Sequence, residues 1–137
     1  MIEMLFGYPP SVNRYWRMFR NRMVRSSTAV EYKEHVAEVS SAVFPESMKG
    51  CIMVDVKLHP IRPKDWQKRE KKDSMWALGV RRIDLDNALK VALDAMQGIA
   101  YDDDRQITDI RIRLRNPIED GGMTVTVGPD EFWETPQ

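Results

Sequence analysis

The sequence predicts an α/β (α+β) domain over residues 1–137, with two main helices packed on a β-sheet. Three observations carry this. Leu85, Ala88, Leu89, Ala92, Leu93 and Met96 recur at helical spacing, with Gly98 as a stop signal. Ile52, Val54, Val56 and Leu58 alternate with polar or softer neighbours, the period of a half-buried strand. A length of 137 residues, without repeat or composition break, suits one domain with a real but shallow core.

Taken in order, Met1 to Tyr8 is a short apolar strand, ended by Pro9-Pro10 because proline cannot donate to a ladder. Ser11 to Arg17 mixes arginines with Tyr15 and Trp16, and Met18 to Ser27 continues without a clean period, so this region reads as an extended loop. Thr28 to Phe44 is the first helix: Thr28 and Glu31 fit a capping box, Val30, Val36, Val39 and Val43 form the stripe, and Pro45 ends it. Cys51 to His59 is a strand. Pro60 to Asp73 reads as a basic, mobile loop around Trp66, and Ser74 to Val80 is partly apolar and able to pack back. The second helix runs from Leu85 to Gln97. Gln106 to Arg115 alternates Ile107, Ile110, Ile112 and Leu114 with Arg111, Arg113 and Arg115, a strand with one buried face. Asn116-Pro117 and Gly121-Gly122 mark a hairpin connection to a last strand, Met123 to Val127. Asp130 to Gln137 is a tail whose Phe132 and Trp133 are able to dock.

Lysine plus arginine balance aspartate plus glutamate, 21 against 21, so net charge names no partner. Its distribution does. Arg14, Arg17, Arg20, Arg22 and Arg25 follow one another with no acid between Pro10 and Val30. Lys57, Arg62, Lys64, Lys68, Arg69, Lys71, Lys72, Arg81 and Arg82 face only Asp65, Glu70 and Asp73. Two basic stretches on an otherwise acidic chain point to a polyanion-binding face. The single Cys51 excludes an internal disulfide and suits a reducing compartment. No secretory h-region and no run of about 20 apolar residues is present, which predicts an intracellular protein without a membrane span. His35 and His59 are too isolated for a zinc site.

Chemistry concentrates between Arg81 and Gln106. Asp86 and Lys90 lie four apart on one helix face, with Asp94 four further on. Asp84 falls at the N-cap or just before it, able to swing towards Asp86 near the positive end of the helix dipole. Asp102, Asp103 and Asp104 follow the helix. Two clusters of carboxylates with a lysine and arginines are what a hard divalent cation and a phosphate ester both require. A plainer reading stands beside this one. Asp84 is then only a cap, Asp86 and Lys90 an ordinary i, i+4 pair, and Asp102 to Asp104 a solvated turn, with the second cluster a whole helix length from the first.

Pro9-Pro10-Ser11-Val12-Asn13-Arg14-Tyr15, Arg82-Ile83-Asp84-Leu85-Asp86-Asn87-Ala88-Leu89-Lys90 and Asp103-Asp104-Arg105-Gln106 occur in that order. They resemble the motifs Pro-Pro-Ser-x-Asn-x-Tyr, Arg-x-Asp-Leu-Asp-Asn-x-x-Lys and Asp-Asp-x-Gln of the RusA family of Holliday junction resolvases. The resemblance covers most of the chain. It implies a mixed α/β fold, a homodimer, Mg²⁺ as cofactor with Mn²⁺ as a substitute, and four-way or branched DNA as partner in the cytoplasm of a bacterial or phage-infected cell. It assigns catalysis to Asp84, Asp86, Asp104 and Lys90, with metal ligation by the three aspartates. Asp102 is an extra acid, which leaves open whether Asp103 or Asp104 is the third ligand. The segment from Pro60 to Val80 exceeds the connection in compact members. Candidate DNA contacts are Asn13, Arg14, Arg17, Lys68, Arg69, Lys71, Lys72, Arg81 and Arg82. The expected activity is Mg²⁺-dependent resolution of junctions by paired, symmetric nicks. The alternatives are a non-catalytic DNA-binding protein, which has no use for carboxylates beside a polyanion, and a metal-dependent nucleotide hydrolase, which hardly needs two long basic stretches.

Overall fold

The computed structural model describes residues 1–10, 16–19, 22–25 and 27–134. Its strands are β1 (Ile2–Phe6), β2 (Trp16–Phe19), β3 (Arg22–Arg25), β4 (Ile52–His59), β5 (Ile107–Leu114) and β6 (Gly122–Pro129). Its helices are α1 (Ser27–Ser41), α2 (Trp66–Lys72), α3 (Leu85–Met96) and the short α4 (Glu131–Glu134), with 3-10 turns at Trp76–Gly79 and Asp104–Gln106. The main sheet is mixed, in the order β1-β6-β4-β5. β6 is antiparallel to both β1 and β4, and β4 is parallel to β5. A parallel pair needs a long crossover, and the stretch carrying α2 and α3 supplies it.

Alternation along β4 and β6 builds the core. Val54, Val56 and Leu58 pair with Val127, Val125 and Met123, and all six are fully buried. Burying side chains of this size stabilises the fold by about 1.5–3 kcal/mol each. Against that face lie Ala88, Val91, Ala92, Ala95 and Met96 of α3 and Ala29, Tyr32 and Val36 of α1. The three alanines let α3 settle close to the strands. α1 covers the β1 side of the sheet, and α3 covers β4 and β5.

Several expectations change. The region read as an extended loop contains the antiparallel pair β2 and β3. The segment from Pro60 to Asp73 carries the helix α2 instead of a loop. That helix buries no residue, so no apolar stripe announced it. It is held by the Arg69–Asp65 ion pair at 2.9 Å and by Trp66 packed on Trp76, ring centroids 6.1 Å apart. β5 and β6 form no hairpin, because β4 lies between them. Phe132 and Trp133 stay largely exposed, each at 59%. The arginine row on β5 is broken where Arg113 turns to Asp55 at 2.6 Å, a half-buried ion pair. Among the described residues, no helix is long and apolar enough to cross a membrane.

Candidate active site

Asp84 is the N-cap of α3, in extended conformation (φ −63°, ψ 146°), yet its side chain accepts no capping hydrogen bond. Such a bond is what ordinarily places an aspartate there. Asp86 lies in the first turn and Lys90 one turn further, all three exposed. Among the described residues, none of these three side chains has a hydrogen-bond or ion-pair partner, and Asp86 and Lys90 do not pair with each other. Two like charges are tolerated here because the unsatisfied N–H groups of the helix start make that end positive. Arg81 is exposed beside them, and Arg82 reaches back to the Ile83 carbonyl at 3.5 Å.

Tyr8 fixes where this mouth sits. Its hydroxyl accepts from the Ile83 N–H at 2.7 Å, joining residues 75 apart in sequence. Gly121 (φ +69°) leaves room for it: a β-carbon there would lie 2.9 Å from the Tyr8 ring and 2.8 Å from Ile61. The mouth of α3 therefore stands at the end of the sheet where β1 and β4 finish, the end from which the chain leaves towards α2. Lys68, Lys71 and Lys72 are exposed on α2, and Arg69 is engaged with Asp65. Between Arg62 and the β5–β6 connection lies a cleft of about 550 Å³ lined by Arg62, Lys64, Trp66, Glu119 and Asp120, with the Arg62 guanidinium 4.7 Å over the Trp66 ring.

The second acidic cluster is built differently. Asp102 accepts from Lys49 Nζ and from Ser47 Oγ, both at 2.6 Å. These two bonds, the lysine's first, hold its carboxyl below the ordinary range. Asp103 caps the turn Asp104–Gln106: its carboxylate accepts from the Arg105 N–H at 2.9 Å. That bond and then a side-chain hydrogen bond with Asp104 lower it as well. Gln106 ties the turn down. Its amide donates to the carbonyls of Met48 and Gly50, and its oxygen accepts from the N–H groups of Asp102 and Asp103. The glutamine of the Asp-Asp-x-Gln motif thus has a structural task. Asp104 is the carboxylate in this turn that neither caps nor pairs with a lysine. Its charge helps raise the Tyr101 phenol, which burial raises first and Asp94 adds to, and the Tyr101 hydroxyl donates to the Leu93 carbonyl.

The two clusters do not meet within one chain. Asp104 precedes β5, whose Ile107 pairs with Ile52 at the start of β4, while Asp84 stands where β4 ends. The 12 residues of α3 separate them, about 18 Å at roughly 1.5 Å per residue. Accordingly, among the described residues no group of three or more His, Cys, Asp or Glu side chains is placed to hold a metal ion. Asp84 and Asp86 fit as two ligands of a hard cation, and Asp104 is not added to them by its own chain. Asn13 and Arg14 lie outside the described residues, and Arg17 falls in β2. Sequence reading missed Tyr8, Ser47 and Lys49, since nothing local marks their hydrogen bonds to residues far along the chain.

Unengaged carboxylates at a helix mouth flanked by cations are the side-chain chemistry that a hard cation and a phosphate ester both call for. Comparison with known proteins narrows this. The profile described as "Endodeoxyribonuclease RusA" matches residues 7–128, and the chain belongs to the RusA endodeoxyribonuclease family. It is 30% identical over 125 residues to the crossover junction endodeoxyribonuclease RusA of Escherichia coli (strain K12), covering 87% of this chain and 88% of that protein. The enzyme of the same name from Enterobacteria phage 82 is 31% identical over 125 residues, with 87% and 88% covered. An uncharacterized protein, YqaN of Bacillus subtilis (strain 168), is 29% identical over 116 residues, with 79% and 82% covered.

Proposed function

We propose that this chain is a Mg²⁺-dependent, structure-selective endonuclease that resolves four-way DNA junctions in the cytoplasm by paired nicks, working as a homodimer. The observation that carries the reading is the N-cap Asp84 that caps nothing, beside Arg81 and Asp86, with Lys90 one turn beyond Asp86. Asp84 and Asp86 would hold the ion. When bound, Mg²⁺ (or Mn²⁺) neutralises charge on the scissile phosphate and makes water a better nucleophile. Lys90, on the same helix face as Asp86, contacts the phosphate and steadies the charge that builds on it. Arg81, Arg82 and the lysines of α2 grip the flanking backbone. A non-catalytic DNA binder would have no use for the two free carboxylates in that grip, because they repel the ligand.

Asp104 enters such a site only from a second copy, since α3 holds it away in its own chain. A two-fold dimer also supplies the two sites that opposed strands require. Cleavage of a four-way junction against linear duplex of the same sequence, with and without Mg²⁺, tests the activity; equal cutting of both substrates removes the selectivity. Mixing Asp84→Asn chains with Asp104→Asn chains tests the shared site. Each variant alone should be inactive, whereas mixed dimers contain one complete set and should nick a single strand. A mixture that stays silent, or an Asp104→Asn protein that cuts at the wild-type rate, excludes Asp104 as a ligand delivered by the partner.

A further inference from the structure

Beside α2, opposite charges line one cleft without meeting. Arg62 and Lys64 come from the segment after β4, Glu119 and Asp120 from the β5–β6 connection. Among the described residues none of these four side chains forms an ion pair. The backbone holds the two segments at a set spacing: Ile61 bridges to Ile118, the Arg62 N–H donates to the Ile118 carbonyl at 2.8 Å, and the Ile118 N–H donates to the Pro60 carbonyl at 3.0 Å. Arg62 is placed a second time, with its guanidinium 4.7 Å over the Trp66 ring and Trp66 in turn packed on Trp76. The acids stand on a turn closed by the Gly121 N–H, which donates to the Ile118 carbonyl at 3.0 Å. Cations and anions held in one cleft and not paired with each other are free to take a ligand that has a use for both. The volume, about 550 Å³, is in the range of small-ligand sites.

The cleft adjoins the candidate active site. A β-carbon at Gly121 would crowd both Ile61, on the cleft wall, and the Tyr8 ring, whose hydroxyl accepts from the residue before Asp84. One tyrosine side chain therefore spans the interval between the two sites. Of the groups that DNA brings there, phosphate suits the cleft badly, because Glu119 and Asp120 repel it. A base is neutral and flat. A guanidinium over an indole offers its other side to a second planar group, as arginine does when it stacks on bases. Carboxylates only accept hydrogen bonds, so their partner is an edge that bears N–H groups. Cytosine, adenine and guanine carry an exocyclic amino group on that edge; thymine has a single N–H between two carbonyl oxygens, which the acids repel.

We infer that this cleft holds one unpaired nucleobase of branched DNA, stacked on the Arg62 guanidinium, with its exocyclic amino group donated to Glu119 or Asp120. Lys64, on the open rim, is left to the backbone phosphate of the same nucleotide. The ligand rests on the junction-cutting reading above, and the cleft adds to it a residue-level source of selectivity. A base at a branch point is easily freed, whereas a base in linear duplex must first leave its stack and its partner. A built receptor for a free base beside the cutting site therefore favours branched over linear DNA, and amino-bearing bases over thymine.

Binding of the metal-free full chain to four-way junctions with one unpaired nucleotide, placed in turn on either side of the branch point, tests the site without cutting. That nucleotide carries cytosine, thymine or no base. At one position wild type should bind the cytosine junction about tenfold more tightly than the abasic one, and about fivefold more tightly than the thymine one. Arg62→Lys keeps the positive charge and loses the planar face. Its preference for cytosine over an abasic nucleotide should fall to within about twofold, while the log-log salt slope stays at the wild-type value. The combined Glu119→Gln/Asp120→Asn chain has amides that donate as well as accept, so it should lose the preference for cytosine over thymine and keep that for a base over none. Circular dichroism keeps misfolding of either variant apart from loss of the site. Equal binding of all three junctions by wild type, a full base preference in Arg62→Lys, or cytosine still favoured over thymine in the amide variant overturns the proposal. So does a flattened salt slope in Arg62→Lys, which makes Arg62 a phosphate contact. Because none of these readouts involves cutting, a failed cleft leaves the nuclease reading intact, and absent cleavage leaves the base preference intact.

Discussion

The mouth of α3 and the turn that follows α3 are both rich in aspartate, and the fold treats them oppositely. In the turn, Asp102 is held by Lys49 and Ser47, Asp103 caps, and Gln106 binds the backbone of both. At the mouth, Asp84 occupies a cap position without capping and Asp86 stands exposed beside it. An acid with a partner in the fold is part of the scaffold. An acid placed by the scaffold and left without one is available for a ligand. Asp104 is intermediate: it belongs to the structural turn, but among the described residues it neither caps nor pairs with a cation, and its charge acts on the Tyr101 phenol.

The largest expected difference is in cleavage. Asp84→Asn or Asp86→Asn should reduce junction cutting by at least about a hundredfold. Junction binding should stay intact or strengthen, because negative charge is removed and no cation is touched. Asp102→Asn should leave the rate within about twofold, since its carboxylate faces Lys49. If the two classes of variant lose activity alike in single-turnover assays, the division between ligand and scaffold is wrong.

Metal should separate the same residues without any substrate. Mg²⁺ at roughly a hundred times its dissociation constant adds about 2.7 kcal/mol to the stability of the folded state. That raises the melting temperature by several degrees for a chain of this size. The rise should vanish in Asp86→Asn and persist in Asp102→Asn. An unchanged wild-type melting curve over a wide metal range, alongside full activity, would count against ligation at the mouth.

Cations also divide the two regions, because α2 lies at the mouth end. Replacing Lys68, Arg69, Lys71 and Lys72 with alanine should weaken DNA binding and flatten its log-log salt dependence, by up to about 0.9 for every phosphate that is no longer neutralised. The lysines should dominate, as Arg69 is already engaged by Asp65. Melting should change little, since α2 buries no residue. A slope identical to wild type shows that α2 does not touch the phosphate backbone.

The smallest effects belong to the turn. Asp103→Ala should lower the melting temperature measurably whereas Asp103→Asn, which can still cap, should not. For Asp102 the sign follows from its depressed value: its contribution is present above the ordinary carboxylate range, about pH 4, and is lost as pH falls through the lower folded value. Wild type and Asp102→Asn should therefore differ slightly at pH 7 and converge in acid. A difference that grows on acidification reverses the assignment.

Whatever depends only on neighbours along the chain was legible in the order of the amino acids. The helical period places α3, the alternation places β4, and together they put Asp84 at a helix start with Asp86 and Lys90 on one face, because 3.6 and 2.0 residue periods are local properties of the backbone. Long-range packing settled the rest. α2 carries no apolar stripe, and its packing comes from Trp66 on Trp76, so its existence was not legible. The placement of β4 between β5 and β6 is a choice among distant strands, settled by burying Val54, Val56 and Leu58 on both sides rather than by the short connection that suggested a hairpin. Which aspartates are scaffold was decided by Lys49, 53 residues from Asp102. That Asp104 stands a helix length from Asp84 follows from the direction in which α3 crosses the sheet, and no spacing of residues in the chain encodes it.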